Sequence, residues 1–194
     1  MQATKEQIRH AQRILFFGVS GAGKSTTARQ LAQARGVPLI DGDSEIGFVP
    51  AADAPWTTRD EQDQKEIARS LLAGDRWVLD SAWGAWREHA LDRAEIVVCL
   101  DYSRARTFAQ LLRRTVRRAC HRTTVCNGNQ ESWRQSFFSR QSILVWHLQT
   151  FSRKRGHMRA WEADPTGPAV VRVGNLRELR AALSLATQWS ESAD

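Results

Sequence analysis

Gly18-Val19-Ser20-Gly21-Ala22-Gly23-Lys24-Ser25 sets glycines, a lysine and a hydroxyl at the spacing G-x-x-x-x-G-K-S. That order of residue types suits the holding of a polyphosphate. Gly21 and Gly23 permit backbone angles and a close approach that side chains would block, so successive N–H groups can wrap the β- and γ-phosphates. Lys24 adds a point charge, and the Ser25 hydroxyl can bind Mg²⁺. A helix beginning at about Lys24 would also aim its unsatisfied N–H groups and positive dipole end at the same anion. The flanks agree with this, because Ile14-Leu15-Phe16-Phe17 reads as a buried strand and Thr26–Ala32 as a helix. Gly18, Ser20, Gly21, Ala22, Gly23, Lys24, Ser25 and Thr26 are therefore the expected nucleotide-binding residues, with ATP the expected nucleotide.

A second group of residues could supply the acceptor side. Asp41 and Asp43 flank Gly42 directly after an apolar run, so a turn there can aim both carboxylates at one centre. Beside a phosphate loop, Asp41 is expected to join Ser25 in holding Mg²⁺, and Asp43 to orient or deprotonate an acceptor hydroxyl. The plainer alternative is an Asx turn or a helix cap before Ser44. Asp80 ends the apolar run Trp77-Val78-Leu79 and can act through metal-bound water, on the acceptor, or as a cap. Arg87 can hold a phosphate or carboxylate in its planar fork, or pair with Glu88 or Glu95. Trp83, Trp86 and Trp133 offer stacking faces or ordinary packing. Asp41, Asp43, Asp80, Trp83 and Arg87 make up the expected acceptor site.

Charge is unevenly spread. Net charge is +7, yet residues 104–159 hold thirteen Lys/Arg against one acid, Glu131. Such a segment is either a solvated basic face able to grip nucleic acid, or an arginine clamp on phosphates in transfer. Arg113, Arg114, Arg117 and Arg118 cover two adjacent stripes of one helix, so one stripe should reach the phosphates. Arg114 and Arg118 are the expected catalytic pair, with Arg114 also touching the nucleotide; Arg122, Arg134 and Arg140 are further candidates. Cys120, His121 and Cys126 fall short of the paired four-ligand spacing of a structural zinc site.

The elements that must position these groups alternate. Strands are expected at Gly36–Ile40, Trp77–Asp80, Ile96–Asp101 and Ala169–Val173 besides the one before the phosphate loop, with a helix over Thr58–Leu72 capped at Gly74. Such a chain makes a doubly wound parallel sheet of five strands whose ligand crevice lies beyond the strand carboxyl ends, where Asp41, Asp43, Asp80 and Asp101 gather. Ser103–Cys120 reads as a basic helix with Phe108, Leu111, Leu112, Thr115 and Val116 inward, His121–Asn129 as a break, and Gln130–Met158 as a returning helix. Together they form a helix–loop–helix lid tipped by Asn127-Gly128-Asn129, and Leu176–Trp189 is a closing helix. One domain over 1–194 with a lid insertion at about 104–159 is expected. Three cysteines and the lack of a signal or spanning segment point to a soluble, cytoplasmic protein without membrane partners.

In this order the features resemble the adenylate-kinase-like P-loop kinases, especially the small bacterial topology-modulation or adenylate-kinase-related proteins. The resemblance rests on GVSGAGKSTTARQLA, the acid in LIDGD, WVLD followed by Arg87, AEIVVCLD, LLRRTVRR and NGNQESW, and covers about Arg13–Leu183. Asp41-Gly42-Asp43-Ser44-Glu45-Ile46 resembles the D-x-D-x-x-I stretch of shikimate kinases. There the acids are associated with Mg²⁺ and the acceptor hydroxyl, although Asp80-Ser81-Ala82-Trp83 stands where those enzymes have a glycine-rich turn. The resemblance implies a P-loop fold of the nucleoside-monophosphate-kinase type, and a base pocket in which Asn175, with Gly174 and Leu176, lies beside adenine. The expected activity is ATP- and Mg²⁺-dependent phosphate transfer to a small hydroxyl- or phosphate-bearing molecule. A nucleoside monophosphate kinase is the alternative among enzymes. A nucleotide-dependent nucleic-acid-binding protein is the alternative from another class.

Overall fold

The computed structural model describes residues 1–121, 123–130 and 142–188. Five parallel strands form one sheet in the order β2-β3-β1-β4-β7: β1 is Arg13–Gly18, β2 Leu39–Ile40, β3 Trp77–Leu79, β4 Ile96–Leu100 and β7 Ala169–Val173. The remaining pair, β5 (Thr124–Val125) and β6 (Asn129–Gln130), is an antiparallel hairpin. The helices are α1 (Lys5–His10), α2 (Lys24–Arg35), α3 (Glu61–Leu71), α4 (Arg87–Arg93), α5 (Arg104–His121), α6 (Ile143–Ala163) and α7 (Leu176–Thr187). No described helix is long and apolar enough to cross a membrane.

Strand alternation explains the layering. Side chains of a strand point to opposite faces in turn, and a parallel sheet is covered on both. Ile14 and Phe16 of β1 join Ile96, Val98 and Leu100 of β4 in one apolar layer with Ala28 and Leu31 of α2 and Leu179 of α7. Leu15, Phe17, Val97 and Cys99 face the other, against Ala68 of α3, Ala90 of α4 and Met158 of α6. Each fully buried Leu, Ile or Phe contributes about 1.5–3 kcal/mol, so the central strands are the anchor of the fold.

Several boundaries differ from the sequence expectation, for local reasons. The second strand begins at Leu39, because Gly36 is left-handed (φ 60°) and closes α2 by donating its N–H to the Ala32 and Gln33 carbonyls. The third helix begins after Asp60, whose carboxylate accepts from the Asp63 N–H, and Leu72 rather than Gly74 caps its end. In α5 the buried seam is Thr107, Leu111, Thr115 and Ala119, an i, i+4 ridge. Leu112, expected inside, is 36% exposed, and Phe108 and Val116 flank the seam half-buried. The expected break at His121–Asn129 contains the β5–β6 hairpin, turned by Cys126 (φ 43°), Asn127 (φ 64°) and Gly128 (φ 91°). Of the returning helix, Ile143–Ala163 is seen, running past Met158; Arg122, Trp133, Arg134, Arg140 and Trp189 lie outside the described residues.

Candidate active site

Gly18 ends β1 and Lys24 begins α2, so the phosphate loop spans the strand-to-helix turn at the carboxyl edge of the central strand. Its glycines serve different needs. Gly23 (φ 93°) is the N-cap, makes no side-chain cap bond, and has nothing within 4 Å of where a Cβ would stand. Gly21 (φ 81°) has α5 at its back, where a Cβ would lie 2.3 Å from the Thr107 carbonyl and 2.8 Å from Leu111 Cβ. That glycine is what lets α5 dock on the loop. Lys24 Nζ donates to the Val19 carbonyl at 3.1 Å; burial lowers its pKa, and Asp43, then Asp80, pull it back up.

The carboxylates gather as expected, with one exception. Asp80 is 2% exposed and accepts from the Gly42 N–H at 3.0 Å, while the Ser25 hydroxyl also hydrogen-bonds to it. Burial raises its pKa, and the Asp41 and Asp43 charges push the same way. Asp41 Oδ1 accepts from the Asp43 and Ser44 N–H groups and so caps the π-helical turn Gly42–Gly47. The cap reading of the Asp41 side chain is therefore realised in one of its oxygens. Asp43 Oδ1 accepts from Trp83 Nε1 at 2.8 Å and from the Ser81 hydroxyl at 3.3 Å. Asp101 does not join them: it is ion-paired with Arg155 (2.7 Å) and Arg172 (3.1 Å), which ties β4, α6 and β7 together.

The basic residues sort by helix face. Arg114 and Arg118 are half-buried and Arg113 and Arg117 exposed, with the Arg114 charge felt at Lys24 and both Arg118 and Arg114 felt at Cys126. Arg87 opens α4, and its charge acts on Lys154 and His157; Glu95 is already paired with Arg13 at 2.8 Å, which removes that alternative. Trp86 is 1% exposed and belongs to the core. Asn175 caps α7: it accepts from the Glu178 N–H and donates to the Glu178 carboxylate, which also accepts from the Gly174 N–H. The Asn175 amide is thus committed to the helix start.

Two features escape a reading of the sequence. Lys154, on α6, donates to the Gly18 carbonyl at 3.5 Å, 136 residues away, and its charge interacts first with Lys24 and then with Asp43. Its only local signal is a place in the run Arg153-Lys154-Arg155, where three cations look alike. The second is a latch. Asn129, 1% exposed, accepts from the Trp56 N–H; the Trp56 indole donates to the Gln130 carbonyl, Asn127 Nδ2 donates to the Phe48 carbonyl, and the Ala51 N–H donates to the Asn127 carbonyl. The polar tip is therefore folded onto the segment 48–57. An edge-to-face row, Trp56 on Phe48 (5.9 Å) and Phe48 on Trp83 (5.2 Å), links the latch to Asp43. Gly47 permits it, since a Cβ there would lie 2.6 Å from the Trp83 ring.

A lysine and open N–H groups on one side and a fixed carboxylate on the other are groups able to hold a polyphosphate against a second molecule. Comparisons with known proteins bear on the fold and the family. A shikimate kinase from Rhodopseudomonas palustris is 36% identical over 87 residues, 41% of this chain and 43% of that protein. The chain thus spans less than half the length of that curated relative. Among solved structures, shikimate kinase from Bacteroides thetaiotaomicron superposes with a TM-score of 0.54 at 13% identity, over 90% of this chain and 95% of that one. A gluconokinase from Sinorhizobium meliloti 1021 superposes with a TM-score of 0.50 at 22% identity, over 91% and 93%. The shared feature at such identities is the fold, a five-stranded parallel P-loop kinase sheet flanked by helices. The family model described as "AAA domain" matches residues 14–136, from β1 through the loop, the Asp41-Gly42-Asp43 turn, Asp80 and α5, and the chain belongs to that family.

Proposed function

We propose that this chain is an ATP- and Mg²⁺-dependent phosphotransferase acting on a small molecule that carries a hydroxyl or phosphate. The observation that carries the reading is the approach of Asp43 to Lys24: the acid three residues beyond β2, its Oδ1 held by Trp83 and Ser81, is the foremost opposite charge acting on the loop lysine. The names of the relatives, kinases of shikimate and gluconate, support the same class.

In this reading the loop from Gly18 to Thr26 cradles the ATP phosphates, and Lys24 leaves the Val19 carbonyl to meet them. Bound Mg²⁺ supplies neutralisation of the β- and γ-oxygens. The Ser25 hydroxyl, already bonded to Asp80, and the second oxygen of Asp41 fit that ion's shell. Asp43, its Oδ1 held by Trp83 and Ser81, orients the acceptor hydroxyl and takes its proton as the new O–P bond forms and the bond from the terminal phosphorus to the bridging oxygen breaks, releasing ADP. Arg114 and Arg118 face the transferring group, and Arg87 binds an acidic substituent of the acceptor. The basic segment of about 104–159 serves as a lid on one domain, excluding water from the transfer. Asn175 and Gly174 border the base.

The test is transfer of labelled terminal phosphate from ATP with Mg²⁺ to a panel of hydroxylated acids, sugars, nucleoside monophosphates and short oligonucleotides. Label in a small-molecule product supports the reading, and label in a nucleoside diphosphate selects the monophosphate-kinase form. ATP binding without transfer to any acceptor, together with salt-dependent oligonucleotide binding, overturns it in favour of a nucleic-acid-binding protein.

A further inference from the structure

Two lysines from distant elements converge on the entrance to the phosphate loop. Lys24 Nζ donates to the Val19 carbonyl at 3.1 Å, and Lys154 Nζ donates to the carbonyl of the preceding residue, Gly18, at 3.5 Å. Neither bond uses a carboxylate. Among the described residues Lys154 forms no ion pair, and the charges that act on it come from every side: Lys24 from α2, Asp43 from the turn after β2, Arg153 from its own helix and Arg87 from α4. His147, two turns earlier on α6, feels Lys154 in return. Three of the four charges on Lys154 repel it, so its place is unfavourable until an anion arrives.

The delivery is rigid. On the same helix, His147 packs on Phe151 and against Phe108 of α5, and Trp161 meets Phe17 of β1 edge-on at 4.6 Å. Lys154 lies between those anchors, half-buried, so its position is set by packing on both sides of it. A flexible surface lysine would move off to water; this one stays beside the loop and Asp43.

We propose that Lys154 is a second phosphate-contacting lysine, which meets the terminal phosphoryl group of ATP from the α6 side while Lys24 meets it from the loop. The inference rests on the phosphotransferase reading and adds the residue that spans donor and acceptor. Its counterpart in solution is a proton: burial and the Lys24 charge bring the Lys154 pKa down to about 7 in the empty site, and a polyphosphate raises it again. ATP binding above pH 7 therefore draws in a proton that Lys154 retains.

Calorimetry of a non-hydrolysable ATP analogue with Mg²⁺ at pH 7.5, in two buffers of different ionisation enthalpy, tests this on the full chain. The wild type is expected to take up a substantial fraction of one proton. Lys154→Met should weaken analogue binding by about tenfold or more and abolish the uptake, while changing ADP affinity about threefold or less. Lys154→Arg should restore affinity without uptake, because a guanidinium stays charged. Circular dichroism confirms that each variant is folded. Unchanged affinity and uptake in Lys154→Met, with Lys24→Ala still losing the analogue, overturns the role of Lys154 alone. A wild type that binds no analogue overturns the phosphotransferase reading and this one with it.

Discussion

The proposed donor and acceptor sides of the site are built from different material. The phosphate loop is mostly backbone: eight consecutive residues whose glycines supply left-handed turns and whose one long side chain rests on a carbonyl of the same loop. The acceptor side is made of side chains brought from afar, with Asp43 held by Trp83 at a separation of 40 residues and Trp56 latched to Asn129 at 73. A backbone cradle suits any polyphosphate. A side-chain wall can change residue by residue, so under the proposed function acceptor choice would reside there.

Lys24→Ala gives the largest expected effect: kcat for phosphate transfer falls about 10²–10³-fold or more, with the far-ultraviolet dichroism unchanged. Undiminished transfer would break the donor half of the comparison. Asp43→Asn should lower kcat by roughly 10²–10⁴-fold while leaving affinity for an ATP analogue within about threefold, a split that isolates the acceptor side. In the loop, Gly21→Ala should destabilise by about 3 kcal/mol and Gly23→Ala by about 1 kcal/mol in urea titration, since both incur left-handed strain but the first also meets the Thr107 carbonyl. Equal losses would mean that α5 does not rest on the loop. For the latch, Asn129→Ala should cost about 1–3 kcal/mol, read as a drop in melting temperature, because the Trp56 N–H and the Cys126 carbonyl lose buried partners.

The smallest effect concerns pH. His147 is fully buried, shares one hydrogen bond with Thr107, and is held below the ordinary histidine value by burial and by the Arg104, Lys154 and Lys24 charges. The unfolded chain therefore binds the proton first. The stability that neutral His147 contributes is complete above about pH 6.5 and is lost as pH falls from there to its lowered folded value. His147→Gln should flatten the loss as pH falls below about 6.5, followed by urea midpoints on either side of that value. A wild-type and variant pair with parallel slopes would show that the seam between α5 and α6 is indifferent to this proton.

Much of the molecule is legible in its local chemistry. Gly23 and Lys24 begin a helix where the motif requires, Ala169–Val173 is a strand to the residue, and the apolar run in Arg13–Gly18 announces a sheet covered on both faces. The departures share a cause. Leu112 reads as inward because a helix of period 3.6 permits several buried faces, and only the docking of Thr107 and Leu111 on Gly21 selects one. Asp101 has the same local setting as the other acids at strand ends, yet Arg155 and Arg172 claim it.

The phosphate loop, the strands that carry it and the carboxyl edge where the acids collect are all specified by the order of residues alone. Each depends on the conformations and polarity of adjacent residues, which a short run of residue types is enough to fix. Packing in three dimensions selected the rest: that Asp43 is held by Trp83, that Leu112 stays outside the buried seam of α5, and that Lys154 is singled out from its basic neighbours. Those choices depend on the rotation and packing of whole helices, summed over contacts between residues far apart in the chain, and no local pattern encodes such a sum.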